Sequence, residues 1–269
     1  MKKKIVVLSA VVVLLAITVV PAPAITNGVP DGNNHPYVGL AVFDVDDGAG
    51  GTRPSHRCSA SLLSPTLVLT AGHCTDGTVA ARVWFEEKGS LNAEYPFSGT
   101  TSYDGTPFTY PGFSIGAGNG LPGFATGDVG VIVLSEPVPV GVIGTYAQLP
   151  AAGLVDTLKN KSGIDFVGYG VSVQEMKFPG QNPRARWGGP RDRLFAPSEL
   201  VSGNFVHSDA FMKLALNPGG GSGGTCFGDS GGPDLLAGTS TVLAVNSYVT
   251  NVNCTGVGYS ARVDVPEVL

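Results

Sequence analysis

The sequence predicts an all-β protein, on three observations. Helical periodicity is nearly absent after residue 24, whereas short runs rich in Val, Leu, Ile, Tyr and Phe recur throughout. The 269 residues include 39 Gly and 20 Pro, so turns are frequent. No repeat of fixed period indicates a solenoid or propeller. Short strands between frequent turns are typical of β-barrels and β-sandwiches.

Eight segments are predicted as strands because each combines β-branched, aromatic or leucine side chains with turn residues at its ends. In chain order they are 37–43, 59–63, 67–70, 80–85, 129–134, 165–169, 241–248 and 258–263. Pro and Gly residues after the fifth strand predict a domain boundary near residue 140.

Two segments rich in Gly, Pro and polar residues, 95–127 and 171–197, are predicted as long loops. The second loop carries four arginines, namely Arg184, Arg186, Arg191 and Arg193. Charged side chains outside regular structure usually face water. We therefore expect a solvated arginine loop, with contact to an acidic substrate as the alternative.

The N-terminus is predicted to be a signal peptide, residues 1–24. Three lysines precede the apolar run 5–20, and Ala22-Pro23-Ala24 supplies the small residues that signal peptidase reads. The alternative is an uncleaved membrane anchor, but 16 apolar residues fall short of the roughly 20 that span a bilayer. A secreted protein, with no membrane attachment after cleavage, is expected.

The mature protein is predicted to be acidic. Removal of residues 1–24 leaves 13 basic and 21 acidic residues, a net charge of −8. Nucleic-acid binding gains much of its affinity from Lys and Arg that displace counterions. Nucleic acid is therefore excluded as the main partner.

An even number of cysteines, Cys58, Cys74, Cys226 and Cys254, predicts disulfides in an exported chain, with three possible pairings. The chain has no Cys-x-x-Cys pair and no histidine cluster. We therefore expect no metal and no cofactor.

The strongest motif is GDSGGP at 228–233, in which glycines surround Ser230. A Gly-rich hairpin is the structural alternative, and 219–224 is such a stretch. A chance match to the whole hexapeptide is nevertheless on the order of one in ten thousand per chain. Because a serine hydroxyl is a weak nucleophile, this interpretation requires a histidine base and a carboxylate that orients it.

Two residues fit those roles. His73 follows an apolar strand and precedes Cys74, and Asp128 opens another strongly apolar strand. Taken singly, His73 would be a structural histidine and Asp128 a strand-edge aspartate. The other histidines, His35, His56 and His207, have no comparable setting.

Taken together, TAGHC at 70–74, DVGV at 128–131 and GDSGGP at 228–233 resemble the motifs of chymotrypsin-like (trypsin-family) serine proteases. The resemblance covers 25–263. It implies two six-stranded antiparallel β-barrels, 25–140 and 141–269, with the active site in the cleft between them. It also implies a monomeric serine endopeptidase that acts on polypeptides.

The resemblance assigns roles to individual residues. His73 would accept the proton of Ser230 as it attacks a peptide carbonyl, while Asp128 orients the imidazole. The N–H groups of Gly228 and Ser230 would form the oxyanion hole. The implied disulfides are Cys58–Cys74 and Cys226–Cys254.

Cleavage after Ala24 would expose Ile25, which resembles the family's mature N-terminus, and its ammonium would pair with Asp229. The implied specificity pocket contains Gly224, Thr225, Ser247, Val249 and Gly258. Since no carboxylate lies at its floor and Val249 narrows its entrance, we expect cleavage after small or medium uncharged residues.

Two other functions fit the sequence less well. A secreted binding protein on a protease fold is the alternative, although such proteins usually lack one member of the triad. An α/β-hydrolase esterase is excluded because Ser230 does not lie in Gly-x-Ser-x-Gly and the Ser, acid, His order is absent.

Overall fold

The computed structural model describes residues 25–87, 101–116, 125–171, 173–174, 187–188, 191–202, 211–217 and 222–269. The predicted signal peptide lies outside these residues. Within them, regular structure is almost entirely β, together with one short helix, α1 (Gly72–Thr75), and a 3-10 turn at Val155–Thr157. The all-β prediction is confirmed.

Six antiparallel strands close into a first barrel. They are β2 (Val38–Asp46), β3 (Thr52–Ser64), β4 (Leu67–Thr70), β5 (Ala80–Trp84), β6 (Tyr103–Thr109) and β9 (Gly130–Leu134). Their order around the barrel is β2-β3-β4-β9-β6-β5. The strands β7 (Ser114–Ile115) and β8 (Ala125–Thr126) form a separate two-stranded ladder.

Six further antiparallel strands form a second barrel. They are β10 (Gly163–Gly168), β13 (Leu194–Ser202), β14 (Phe211–Leu216), β15 (Pro233–Leu236), β16 (Val242–Val249) and β17 (Gly256–Arg262). Pairing of β13 with β14 closes the order β13-β10-β15-β16-β17-β14. If the six strands of each barrel are numbered along the chain, the order of neighbouring strands is the same in both barrels. The predicted pair of six-stranded barrels is confirmed.

The N-terminal segment lies against the second barrel, although the predicted division placed it with the first. The strand β1 (Val29–Pro30) pairs with β13. Ile25 is fully buried in a core cluster of the second barrel that contains Phe166 and Met212. A larger buried cluster contains residues of both barrels, so the two pack directly on each other. The remaining ladder, β11 (Val173–Gln174) with β12 (Trp187–Gly188), stands apart.

All eight predicted strands are present. The prediction of a long loop at 95–127 was wrong in the part that the structure describes. It contains β6, which completes the first barrel. The side chains of β6 alternate between half-buried and exposed, and the strand includes Gly105 and Pro107. A Cβ on Gly105 would lie 2.7 Å from the Val133 carbonyl oxygen. The close approach of the neighbouring strand therefore requires glycine at position 105. Sequence patterns instead interpret a glycine as a turn residue, so the strand was missed.

The prediction that the arginine loop faces water was also wrong at Arg193, which is fully buried. Its guanidinium donates to Asp31, to the carbonyls of Val38 and Phe85, and to Tyr169. A fifth hydrogen bond goes to the Asn33 amide oxygen. Arg191 is partly buried, and Arg184 and Arg186 lie outside the described residues. A buried guanidinium is accommodated because five acceptors satisfy it.

Among the described residues, no helix has the length and apolar character needed to cross a membrane.

Candidate active site

The first barrel brings His73 and Asp128 together through the pairing of β4 with β9. Thr70, at the end of β4, is opposite Gly130, at the start of β9. The helix α1, which carries His73, follows β4, and Asp128 immediately precedes β9. The two side chains, 55 residues apart in sequence, therefore meet at one end of the barrel.

Asp128 holds His73 by two hydrogen bonds. The His73 backbone N–H donates to Oδ1 at 2.7 Å, and Nδ1 donates to Oδ2 at 2.8 Å. This leaves Nε2 of the neutral ring as the acceptor. Asp128 is fully buried, whereas the His73 side chain is 28% exposed. The imidazole is thus held in one orientation, with Nε2 3.6 Å from Cys74 Sγ.

Ser247 on β16 also donates a short hydrogen bond to Oδ2 of Asp128. Burial raises the pKa of Asp128, but the hydrogen bonds from His73 and Ser247 outweigh it and hold the pKa below its ordinary value. The second barrel therefore helps to keep the carboxylate ionised. Sequence reasoning had placed Ser247 only in the specificity pocket.

Ser230 lies in the loop before β15, anchored to both barrels. Its carbonyl accepts from Ser59 N–H of the first barrel at 2.9 Å, and Gly231 N–H donates to the Asn246 carbonyl at 2.7 Å. Gly231 has φ +76°, and a Cβ there would collide with Thr70, Ser59 and Ala71. Glycine after the serine is required by both backbone conformation and space.

The backbone N–H groups of Gly228 and Ser230 were predicted to form the oxyanion hole. The Phe227 carbonyl accepts from Val171 N–H at 2.8 Å. Because a trans peptide points its C=O and N–H in opposite directions, this bond turns Gly228 N–H away from Val171. Within the described residues, neither Gly228 N–H nor Ser230 N–H donates to a protein acceptor.

Ser59 is a site residue that sequence reasoning missed. Its fully buried hydroxyl donates to the Gly228 carbonyl at 3.0 Å and accepts from Tyr169 N–H at 2.9 Å. It therefore connects the first barrel to the Ser230 loop of the second. A polar residue next to Cys58, inside a predicted apolar strand, was the available signal.

Asp229 is fully buried and accepts from Gly170 N–H at 2.8 Å and Cys226 N–H at 2.9 Å. A Cβ on either Gly168 or Gly170 would collide with its carboxylate. Burial raises the pKa of Asp229 to about 7, although the two backbone hydrogen bonds and the charge of Arg191 oppose this. The group is therefore a buried acid that a nearby cation would stabilise in its ionised form.

Both expected disulfides are present. Cys58 is bonded to Cys74 beside His73, and Cys226 is bonded to Cys254. Cys58, His73 and Cys74 are close enough to suggest a metal site, but the two sulfurs are bonded to each other. A disulfide sulfur is not the thiolate that binds a metal.

One cavity of about 340 Å³ joins His73 and Ser230 to part of the predicted pocket. It is lined by His73, Thr225, Cys226, Phe227, Ser230, Asn246, Ser247, Tyr248 and Val249. Within the described residues, no hydrogen bond joins His73 Nε2 to Ser230 Oγ, but both face this cavity. Gly224 and Gly258, predicted as its floor and wall, are not among the lining residues. Their place in the pocket therefore stays a prediction.

A protein-family model described as Trypsin matches residues 32–267. The chain belongs to the trypsin family. Family membership supports a serine-type peptidase that acts on polypeptides.

This trypsin-family chain is similar to several curated proteins. It is 27% identical over 205 residues to chymotrypsin-like elastase family member 3B of Macaca mulatta, covering 74% of each chain. It is 26% identical to proproteinase E of Bos taurus, over 74% of this chain and 75% of that protein. It is also 26% identical to trypsin zeta of Drosophila erecta, over 66% and 60% respectively.

Solved structures agree on the fold. HL collagenase aligns with a TM-score of 0.61 and 17% identity, over 86% of this chain and 89% of that one. The VesB protease of Vibrio cholerae aligns with a TM-score of 0.58 and 17% identity, over 88% and 64%. At this identity the likeness shows the two-barrel fold alone.

A second His–Asp pair in this trypsin-family chain shows why tertiary context matters. Asp31 accepts from His35 N–H at 3.0 Å and from Nδ1 at 2.5 Å, the same pattern as at Asp128. His35 was predicted to have no such setting. Asp31 also accepts from Arg193, however, and the His35 ring stacks on Phe195. His35 faces a separate groove that contains none of the triad.

Proposed function

We propose that this chain is a secreted serine endopeptidase in which Ser230 is the nucleophile, His73 the general base and Asp128 the group that orients it. The observation that carries the proposal is the shared cavity, in which Ser230 faces an imidazole held by a buried carboxylate. Export is supported by the N-terminal segment 1–24 and by the two disulfides.

The mechanism follows from this arrangement. Nε2 of His73 takes the hydroxyl proton as Ser230 Oγ attacks the substrate carbonyl, and the resulting imidazolium is stabilised by Asp128. The N–H groups of Gly228 and Ser230 receive the negative charge that develops on the carbonyl oxygen. Each such donor is worth about a hundredfold to a thousandfold in rate. The protonated His73 then donates to the leaving amine, which leaves an acyl-enzyme for water to hydrolyse.

The binding-protein alternative is disfavoured by the same features. Asp128 and Ser247 form a buried hydrogen-bonded pair, and Ser59 and Val171 hold the backbone around Gly228. A buried Asp–His pair alone is not decisive, since Asp31 and His35 form one elsewhere. What favours catalysis is that His73 shares its cavity with Ser230.

We expect the mature protein to hydrolyse peptides after Ala, Val or Leu. Val249 and the disulfide-bonded Cys226 line the cavity, and among the described residues no Asp, Glu, Lys or Arg lines it. The test is kcat/KM on matched peptides that end in Ala, Val, Leu, Phe, Arg and Glu. Arg or Glu as the best residue would refute the pocket assignment. Val249→Gly should raise the value for Phe, whereas an unchanged value would place Val249 outside the pocket.

We also propose that the ammonium of Ile25 pairs with Asp229 once the chain begins at Ile25. Ile25 is fully buried with φ +55°, an unfavourable conformation for a β-branched residue that has a preceding peptide bond. Thr26 pairs with Gly224 through two backbone hydrogen bonds of 2.8 and 3.0 Å. These contacts hold the start of the chain in the second barrel, which contains Asp229.

Breaking a buried ion pair costs about 3 to 5 kcal/mol, so Asp229→Asn should lower kcat/KM by about a hundredfold or more. N-terminal sequencing of the secreted protein should find Ile25 first. A form that keeps Ala24 before Ile25 should be similarly impaired. Full activity of that extended form would contradict the pairing.

The pH dependence of stability should distinguish the form that begins at Ile25 from the extended form. The free energy of unfolding is measured with urea in a Ser230→Ala background. In the extended form the folded pKa of Asp229 is about 7, against an ordinary value of 3.8. Between these values the folded state binds a proton that the unfolded state has released, so stability falls as pH rises from about 4 to 7. The Ile25 form should lack this decline, and equal profiles would argue against the pair.

A further inference from the structure

Gly224 and Gly258, which are predicted to form the floor and wall of the specificity pocket, both lie against Leu216. A Cβ on Gly258 would have three atoms of Leu216 as its nearest neighbours, at 3.2, 3.3 and 3.4 Å. A Cβ on Gly224 would lie 3.1 and 3.2 Å from two Leu216 atoms. The positions that line the pocket in the family therefore converge on the side chain of Leu216.

Leu216 is part of a rigid core and not a mobile flap. It is fully buried at the end of β14, in a cluster with Met212 and Leu243. Val249, which lines the cavity, packs against the same cluster. Protein interiors are close-packed, so the volume that a fully buried side chain fills is closed to a substrate.

Strand register explains how Leu216 reaches this place. Gly258 on β17 is opposite Val249 on β16 and opposite Leu214 on β14. Leu216 is two residues beyond Leu214 and therefore lies on the same face of the barrel. Without side chains at Gly224 and Gly258, Leu216 fills the space that the two glycines leave.

We propose that Leu216 closes the floor of the substrate pocket and sets the upper size limit of the residue accepted there, an inference that rests on the proposed peptidase function. Leu216 does not itself line the cavity, but it lies against Gly224 and Gly258, which adjoin the lining residues Thr225 and Val249. Cleavage would follow small or medium side chains because Leu216 fills the space behind these two lining residues. Glycines at the floor and wall would otherwise predict a deep pocket for large aromatic side chains.

The test is kcat/KM for matched peptides ending in Phe and Ala, measured for wild type, Leu216→Ala and the milder Leu216→Val. A hydrophobic pocket discriminates about tenfold to two-hundredfold per methylene, so the Phe to Ala ratio should rise at least tenfold in Leu216→Ala and less in Leu216→Val. The matched control is Leu200→Ala, an equally buried leucine of the same cluster on β13. Its ratio should stay at the wild-type value. An unchanged ratio in both Leu216 variants would overturn the proposal, whereas failure of every form to cleave peptides would instead refute the peptidase function.

A second measurement does not depend on activity. In a Ser230→Ala background, Gly258→Ala should destabilise the protein because its new methyl group meets Leu216. Combined with Leu216→Ala, the same change should cost much less, so the two effects on urea unfolding should not be additive. Strict additivity would show that Leu216 does not occupy the space in front of Gly258 and would overturn the proposal.

Discussion

Ser230→Ala should abolish covalent labelling by a fluorophosphonate and lower kcat by about a millionfold, as in related triads. The reason is that Oγ is the only atom of the residue that reacts, whereas its backbone N–H remains. Within the described residues Ser230 Oγ makes no protein hydrogen bond, so the folded structure should be retained. Mass spectrometry of the labelled peptide and peptide hydrolysis measure the effect, and circular dichroism checks the fold.

Ser240→Ala is the matched control, because Ser240 lies in the separate groove beside His35 and not in the triad cavity. It should retain both labelling and activity. Equal labelling of Ser230→Ala and wild type would show that another residue is the nucleophile. A folded wild type that resists the probe and cleaves no peptide would favour the binding-protein alternative.

Arg193→Met should destabilise the protein by about 3 to 5 kcal/mol, the cost of leaving a buried charge without its partner. The change removes five hydrogen bonds and leaves Asp31 buried and ionised without Arg193. Burial raises the pKa of Asp31, while hydrogen bonds from His35 and the charge of Arg193 hold it below its ordinary value. Urea unfolding in a Ser230→Ala background, which prevents self-cleavage, measures the loss.

Arg82→Met provides the comparison. Arg82 pairs with Asp44 through two hydrogen bonds, but its side chain is 23% exposed, so the expected loss is at most about 1 kcal/mol. Adding Asp31→Asn to Arg193→Met should recover part of the stability, because it removes the unpaired charge. Equal losses for Arg193→Met and Arg82→Met would mean that the Arg193 network contributes little to holding the barrels together.

Local patterns were sufficient for the fold class and for eight of the twelve barrel strands. The eight predicted strands contain continuous or alternating apolar residues that the barrels bury. The apolar pattern of the sequence therefore matches the pattern of burial. Two of the four missed strands, β6 and β15, depart from this pattern. The residues of β6 are half-exposed and include Gly105 and Pro107, and β15 begins at Pro233 within the Ser230 motif. Their pairing depends on neighbours far along the chain, which local propensity does not register.

The sequence by itself predicted the chemistry that we propose for the candidate site. A nucleophile between glycines, a histidine beside a cysteine and an aspartate before an apolar strand are each recognisable locally, because backbone geometry demands particular residue types there. The tertiary structure decided the rest. Arg193, Ser59 and Leu216 have ordinary local sequences, and their roles arise only where strands of different register meet. Burial and partner atoms, which give these side chains their function, are properties of that packing and not of the neighbouring residues in the chain.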